Sequence, residues 1–390
     1  MPGHSLEELK ALSNKASKFL DALTVMLNEP FPAKAAPTFS LANVADLCGI
    51  SRSQVRHCAV KHNLPLGSKN GDAISTKPRE LTLEETILWV QTIAEYPTRA
   101  AGELGRILAV CNYKGGVTKT TTAVSLAQAL TLKGQKVLVV DCDGQGSASM
   151  LLGYHPENRK HVNHEETTII PFLRGHHKDL RPAIRNTYWH NLDIIPSCSL
   201  VLSTDIILPK RSEDEEDFNP WAELGKGIDP LREDYDVIIF DTAPNLGYTT
   251  INVMLAADGL IMPSPPEKLD FTSSVQFWGI FGLLTGVLPE EEAKNKRYDF
   301  VTILPTKVEQ SQGHQLVKSW LQEAYGEFLN AIEIPKSVTA NQALTQDKTI
   351  FDFGRPPGKE ETWRRYKEPV NRFADYILRQ LVTGWRGSNV

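Results

Sequence analysis

Residues 107–122 constrain this chain more than any other stretch. An apolar run, Ile107-Leu-Ala-Val110, leads into Cys111-Asn-Tyr113-Lys114-Gly115-Gly116-Val117-Thr118-Lys119-Thr120-Thr121-Thr122, where a helical pattern begins. Strand, glycine-bearing loop, lysine, hydroxyl and helix are the parts of a phosphate-binding loop. Backbone N–H groups at the helix start wrap the phosphates, the lysine reaches their outer oxygens, and the hydroxyl holds Mg²⁺. The general loop reads G-x-x-x-x-G-K-[ST], and here Tyr113 and Thr118 stand at its two glycine positions. Gly115 and Gly116 lie instead between two lysines, so close backbone approach is kept and one cation is added. Lys119 is the loop lysine. Lys114 is the surplus one, and it can reach charge in a partner chain's site, as trans-acting cations do in phosphoryl transfer.

Short apolar runs at 106–111, 136–141, 236–241, 258–263 and 299–304 alternate with helical patterns at 119–132, 245–256, 271–285 and 311–324. This alternation predicts an α/β domain over 104–390, a mostly parallel sheet flanked by helices. Two of the runs end in carboxylates: Val137-Leu-Val-Val-Asp141-Cys-Asp143, and Asp236-Val-Ile-Ile-Phe-Asp241. Parallel strands bring their carboxyl ends beside the loop that follows the first strand. Asp241 is therefore suited to hold Mg²⁺ directly or through water. Asp141 and Asp143 could merely cap the next helix, but beside such a loop a role in the chemistry is the better reading. Pro305 and Thr306, ending the last run, are the candidates for contact with a nucleobase.

Ahead of this domain, apolar residues of Leu6–Leu27 recur at helical steps and stop before Pro30, which predicts an amphipathic helix within 1–30. Its stripe would dock on a second chain or fold back. A linker with three prolines, 28–37, leads to a small module spanning 38–96. Residues 39–62 read as helix, turn at Gly49, helix, with Ser51 as N-cap and Leu41, Val44, Ala45, Leu47, Ile50 and Val55 as core. The second helix would offer Arg52, Ser53, Gln54, Arg56 and His57, the pattern of a helix-turn-helix that reads DNA. Gly67-Ser-Lys69-Asn-Gly-Asp predicts a tight hairpin, a wing whose Lys69 meets phosphate. The chain carries net −5, yet residues 38–79 hold six Lys and Arg against two Asp, so basic charge is concentrated where DNA would lie.

At 390 residues the chain suits a main domain with an appendage, and 41% hydrophobic with 23% charged residues is ordinary globular usage. No apolar run reaches the length of a membrane span and the N-terminus lacks a signal-peptide core, so a soluble intracellular chain is expected. The five cysteines form no C-x-x-C pair. Segment 210–219, KRSEDEEDFN, reads as a solvated loop. Residues 355–390 carry eight basic against four acidic side chains, which makes Arg364, Arg365 and Lys367 candidates for contact with DNA phosphates. Phe373, Ile377, Leu381 and Trp385 share one helix face. Packing on the core is preferred there over membrane binding.

Lys114-Gly-Gly-Val-Thr-Lys119-Thr120 resembles the deviant Walker A motif, K-G-G-x-x-K-[ST], of the ParA/MinD/NifH group. Asp141-Cys-Asp143-Gly-Gln-Gly resembles that group's D-x-D-P-Q-[GA] motif. Asp241-Thr-Ala-Pro-Asn-Leu-Gly and Pro263-Ser-Pro-Pro-Glu-Lys-Leu-Asp270 resemble later ParA segments. With the N-terminal module, the likeness is to the large ParA type of low-copy plasmids and second replicons, including RepA of repABC systems. The resemblance implies a P-loop fold and a weak Mg²⁺-dependent ATPase cycling between ATP and ADP. Lys114 would contact nucleotide across a homodimer, Lys119 would bind the β/γ phosphates, and Thr120 would ligate Mg²⁺. Asp143 would orient the attacking water, Asp241 would hold Mg²⁺ through water, and the loop from Gly115 through Thr121 would cradle the nucleotide. It further implies a ParB-like partner, operator DNA bound specifically for autoregulation, nucleoid DNA bound without sequence preference, and a cytoplasmic, nucleoid-associated location without membrane. Gly144 stands where the family has Pro and Thr118 where smaller members have Gly, departures expected to slow hydrolysis. Three other readings compete. A nucleotide-tuned repressor would need no role in segregation, a MinD-like membrane switch fits poorly with the helix-turn-helix, and an iron–sulfur reductase needs paired cysteines where only Cys198 lies beyond Asp143.

Overall fold

The computed structural model describes residues 4–27, 34–69, 79–156, 166–286, 288 and 294–387. Ten strands are used below: β1 Phe39–Ser40, β2 Ser68–Lys69, β3 Arg79–Leu81, β4 Arg106–Val110, β5 Val137–Cys142, β6 Arg185–Asn186, β7 Leu192–Ile195, β8 Val237–Thr242, β9 Gly259–Ser264 and β10 Phe300–Pro305. The last seven form one sheet in the order β10-β9-β4-β8-β5-β7-β6, parallel except where β6 pairs antiparallel with β7. The five apolar runs of the sequence are β4, β5, β8, β9 and β10, each shifted by no more than a residue. β4 is an interior strand, flanked by β8 and β9, which puts the loop after it within the sheet's carboxyl edge, beside the tip of the middle strand β8.

The runs are continuously apolar because both faces of the sheet are covered. Leu108 and Val110 pack with Val137, Val139, Val237 and Ile239 under helices Lys119–Thr131 and Glu360–Gly387. Ile107 and Ala109 face the other way with Leu138, Val140, Ile238 and Phe240, beneath helices Thr204–Asp214 and Tyr248–Ala256. Phe373, Ile377, Leu381 and Trp385 are all buried in the first of these layers, so the C-terminal stripe is core. Among the described residues no helix is long and apolar enough to cross a membrane.

The small module is built of helices Leu41–Leu47, Gln54–His62 and Leu83–Ile93 against an antiparallel sheet in the order β1-β3-β2. Val44, Ala45 and Val55 are buried as expected, with Leu41, Leu47 and Ile50 packed partly buried beside them. Gly49 turns at φ +66°. The expected cap is corrected. The residue preceding the second helix is Ser53, which makes no side-chain cap, while Ser51 donates its N–H (2.8 Å) and hydroxyl (2.8 Å) to the Gln54 side-chain carbonyl. The expected tight hairpin is corrected as well. Lys69 pairs with Arg79 and Ser68 with Glu80, so the strand that partners 68–69 begins at Arg79 rather than within 67–72; residues 70–78 lie outside the described residues.

Module and main domain share one apolar cluster. Gln91 donates to the Gly134 carbonyl (3.1 Å), Gln135 to the Pro97 carbonyl (3.0 Å), and Arg355 pairs with Glu80. The module thus rests on the far end of the helix that starts in the phosphate loop. In the linker, Lys34 donates to the Leu151 carbonyl (2.6 Å).

Segment 210–219 is not simply a solvated loop, because helix Thr204–Asp214 runs through its first half. Arg211 there binds Glu215 (2.8 Å) and Glu223 (3.1 Å) and stacks on Phe218. Helix Leu6–Leu27 forms as predicted, with Leu6, Leu9, Leu12 and Phe19 exposed, so its stripe finds no cover at those positions within this chain.

Candidate functional site: a three-lysine phosphate loop

Parallel pairing sets Val110 and Asp141 on either side of Asp241, so the loop after β4 and the two acidic strand ends converge. The buried Asn112 holds the loop's base, donating to the Pro263 carbonyl (2.8 Å) and accepting from the Lys114 N–H (3.0 Å). Thr242 donates to the Val110 carbonyl (3.0 Å). Gly116 takes φ +75° and so does Thr118, at +76°. A β-branched residue in the left-handed region is strained by about 1–2 kcal/mol, which is why the general motif has glycine there. The loop then opens into helix Lys119–Thr131, whose unpaired N–H groups and dipole favour an anion.

Lys114, Lys119 and Lys307, the lysines around the loop, each rest on an internal acceptor. Lys119 Nζ donates to the Lys114 carbonyl (2.9 Å), Lys114 Nζ pairs with the buried Asp270 (2.8 Å), and Lys307 Nζ donates to the Gly116 carbonyl (2.7 Å). Burial above all lowers the Lys119 pKa, against the pull of Asp241 and Asp143. Anionic phosphate would replace neutral carbonyls as partner.

The two strand-end carboxylates differ. Asp141 accepts from the Ser149 N–H (2.9 Å), the Ser149 hydroxyl (2.7 Å) and the Asp143 N–H (3.1 Å), and burial pushes its carboxyl up to about 7. It is a helix-capping and bracing group. Asp143 is only partly buried and lines an open cavity of about 440 Å³ together with Gly115, Gly116, Lys119 and Thr120. Asp241 is fully buried, and neither carboxylate oxygen makes a hydrogen bond of ordinary geometry among the described residues. Burial first, then Asp141, holds its pKa well above the carboxylate range, while the Thr120 hydroxyl and Lys119 pull it down. An orphaned buried carboxylate beside a hydroxyl and a phosphate loop is the donor set a hard cation takes, so the residues fit Mg²⁺.

A narrower cavity of about 170 Å³ continues from the loop, between helix Lys119–Thr131 and residues 334–344. Thr306 lines it, whereas Pro305 does not; the Pro305 carbonyl instead accepts from the Ile334 N–H (2.9 Å). The buried Thr118 and Ser125 hydroxyls on its wall lack partners among the described residues, as polar groups awaiting a ligand would. Asn112 and Lys307 escaped the sequence reading because neither lies in a motif's lettered positions, and Asp270 stood only at the end of a family-like segment with no role attached.

Gly144, where the family has Pro, has a local reason. A Cβ there would come within 2.8 Å of the Leu202 side chain, so Leu202 fills the space that a larger residue at 144 would need.

Of the residues expected from the sequence to meet DNA, Arg52, Ser53, Gln54, Arg56 and His57 are all exposed. The side chain of Lys69 lies outside the described residues. On the C-terminal helix Arg365 is exposed, whereas Arg364 is exposed but paired with Glu368 (3.0 Å). Lys367 is corrected as a phosphate contact. Its ammonium lies 4.2 Å from the Trp363 ring centroid and 5.2 Å from that of Phe351, and burial pulls its pKa down to about 8.

A family model described as an AAA domain matches residues 105–286. The chain is 33% identical to SopA of Escherichia coli over 357 residues, 89% of each chain. It is 26% identical to the chromosome partitioning protein ParA of Caulobacter vibrioides, covering 69% of this chain and 96% of that one. Among solved structures, one titled partition protein superposes with TM-score 0.70 at 20% identity over 97% of this chain and 99% of that chain. Cobyrinic acid a,c-diamide synthase from Mycobacterium smegmatis, solved with a bound ATP analogue and magnesium, superposes with TM-score 0.56 at 25% identity, covering 72% and 97%.

Proposed function

The chain belongs to the ParA family of partition ATPases, and we propose that it segregates a plasmid or secondary replicon by a switch in which ATP binding pairs two copies on DNA and hydrolysis releases them. The observation that carries this reading is the convergence of Lys119, Asp143 and the buried Asp241 beside the loop that also carries Lys114. Bound Mg²⁺, held by Thr120 and by Asp241 through water, would neutralise charge between the β and γ phosphates. Loop N–H groups and Lys119 bind the phosphates. Asp143, at the cavity wall, holds the water that attacks the γ phosphorus. The nucleoside enters the narrower cavity past Thr306, where the Thr118 and Ser125 hydroxyls meet the base or ribose. Lys114 leaves Asp270 for the nucleotide of a second copy, so hydrolysis requires the homodimer. Thr118 and Gly144 keep turnover slow.

Asp143→Ala is expected to bind ATP as tightly as wild type and to lose hydrolysis by about 100-fold or more, because only the water's orientation is removed. Phosphate release and nucleotide affinity, measured together, check this, and turnover at the wild-type rate would refute the role.

The small module acts as a winged helix-turn-helix on operator DNA, with Arg52, Ser53, Gln54, Arg56 and His57 facing the groove, Lys69 on its wing, and the operon repressed in consequence. Non-specific DNA lies along the C-terminal helix. Arg365, Arg372 and Arg379 are exposed, recur every seven residues, and form no ion pair among the described residues. Seven residues are about 10.5 Å of helix, with a drift of only about 20°, so the three make one stripe toward a polyanion. A ParB-like protein is the partner that stimulates release, and the uncovered stripe of helix Leu6–Leu27 pairs two copies before nucleotide arrives. The protein would then be cytoplasmic and nucleoid-bound.

DNA binding measured with ADP, with ATP and with a non-hydrolysable analogue, on operator and on random DNA, tests the whole. The analogue should favour random DNA and ADP the operator. Affinities indifferent to nucleotide would remove the switch.

A further inference from the structure

We propose that Lys307 is a third nucleotide-binding cation of this site, taking the phosphate nearest the nucleoside in the same chain that binds the nucleotide. The inference rests on the ATPase reading above and extends it to a residue outside the phosphate-loop motif.

Lys307 stands just beyond the tip of β10 and has φ +52°, left-handed backbone that strains a lysine where glycine or asparagine would be at ease. Such a conformation persists only when its surroundings impose it. Here they do. Thr306 on one side donates its N–H to the Ser264 carbonyl (3.2 Å) and its hydroxyl to the Val117 carbonyl (3.2 Å), and Val308 on the other donates to the Ile334 carbonyl (3.0 Å). The backbone is clamped at both neighbours, and the result aims the Lys307 side chain back over the phosphate loop.

Its ammonium rests on the Gly116 carbonyl (2.7 Å), the one acceptor it has among the described residues, and is partly exposed. An ammonium carries three donors, so two remain for a ligand. Position decides which part of a nucleotide they meet. Lys307 lines both the open cavity that holds Lys119 and Asp143 and the narrower cavity that holds Thr306 and Ser125. A nucleotide spanning the two must pass Lys307 where its phosphate chain joins the nucleoside. The γ phosphate lies at the other end, near Asp143. Lys307 therefore serves ADP and ATP alike, unlike a residue that senses the γ phosphate, and it helps retain nucleotide after hydrolysis.

The alternative is that Lys307 only braces the loop through Gly116. Lys307→Asn separates the two, because asparagine tolerates left-handed backbone and the fold is kept while the cation is lost. Binding of ADP and of a non-hydrolysable ATP analogue is measured by calorimetry for wild type, Lys307→Asn and Lys307→Arg, at low and moderate salt, with melting temperatures of the free proteins alongside. One charge-assisted contact predicts an affinity loss of about tenfold for both nucleotides in the Asn variant, a shallower salt dependence, and recovery in the Arg variant. Affinities within twofold of wild type, with or without a lower melting temperature, overturn the proposal in favour of the brace. A loss confined to the ATP analogue overturns the placement beside the nucleoside. Wild type that bound neither nucleotide would instead bring down the ATPase reading itself.

Discussion

Lys119→Ala is expected to fold and to lose ATP binding by 100-fold or more. The lysine is 7% exposed, and the acceptor of its hydrogen bond among the described residues, the Lys114 carbonyl, is neutral. Desolvation lowers its pKa in the folded chain, so at neutral pH the folded state holds this proton less tightly than the unfolded state does. Burying the charge therefore costs stability that a neutral carbonyl acceptor does not fully return, and removing the side chain should not lower the melting temperature. A bound nucleotide reverses the balance. Its outer phosphates meet a desolvated cation at hydrogen-bond distance, and each such contact contributes about 1.5–3 kcal/mol, so losing more than one carries the effect past two decades. Calorimetric titration with ATP beside thermal melts checks both halves. Retained affinity would mean that phosphates are bound elsewhere, and a collapsed melting temperature would mean that Lys119 is structural.

How much could be read beforehand follows from where the information lies. β4, β5, β8, β9 and β10 were legible because both faces of the sheet are covered and each strand is a continuous apolar run. β7 was missed: Leu192-Asp-Ile-Ile is four residues long with an aspartate inside, which accepts from the Tyr235 hydroxyl (2.8 Å). Lys114, Lys119 and Thr120 were legible through contiguous spacing. Asp141 and Asp143 came as a pair, and their division of labour did not, because the Ser149 bonds that commit Asp141 to bracing arise only when helix Ser147–Leu151 folds back onto it. Asp270 and Lys307 are far from the loop in sequence, 156 and 191 residues from the groups they meet, and reach it through the ends of β9 and β10. Lys367 shows the converse error. Counting charge over 355–390 treats every cation as free, whereas the helix turns this one onto Trp363. The same count includes Arg372 and Arg379 but gives no reason to single them out, which only the helix does by placing them on a face with Arg365.

Reversing two charges on the small module should separate DNA reading from ATP chemistry. Arg52 precedes and Arg56 belongs to helix Gln54–His62, whose inner side is fixed by Val55 and Ala59, so both arginines project outward and neither supports the fold. Arg52→Glu with Arg56→Glu changes the local charge by four units where phosphates would lie. Each lost phosphate contact removes close to one unit from the slope of log affinity against log salt, and repulsion adds to the loss. Operator affinity should fall by at least 100-fold at physiological salt, while the melting temperature and the basal ATPase rate without DNA stay at wild-type values. Binding of random DNA through Arg365, Arg372 and Arg379 should persist, because that stripe lies on a different helix. Footprinting, fluorescence anisotropy on both DNAs and phosphate release read the three quantities. A normal footprint from the double variant would make the module a protein-binding element, and equal loss on both DNAs would place operator and random DNA on one surface.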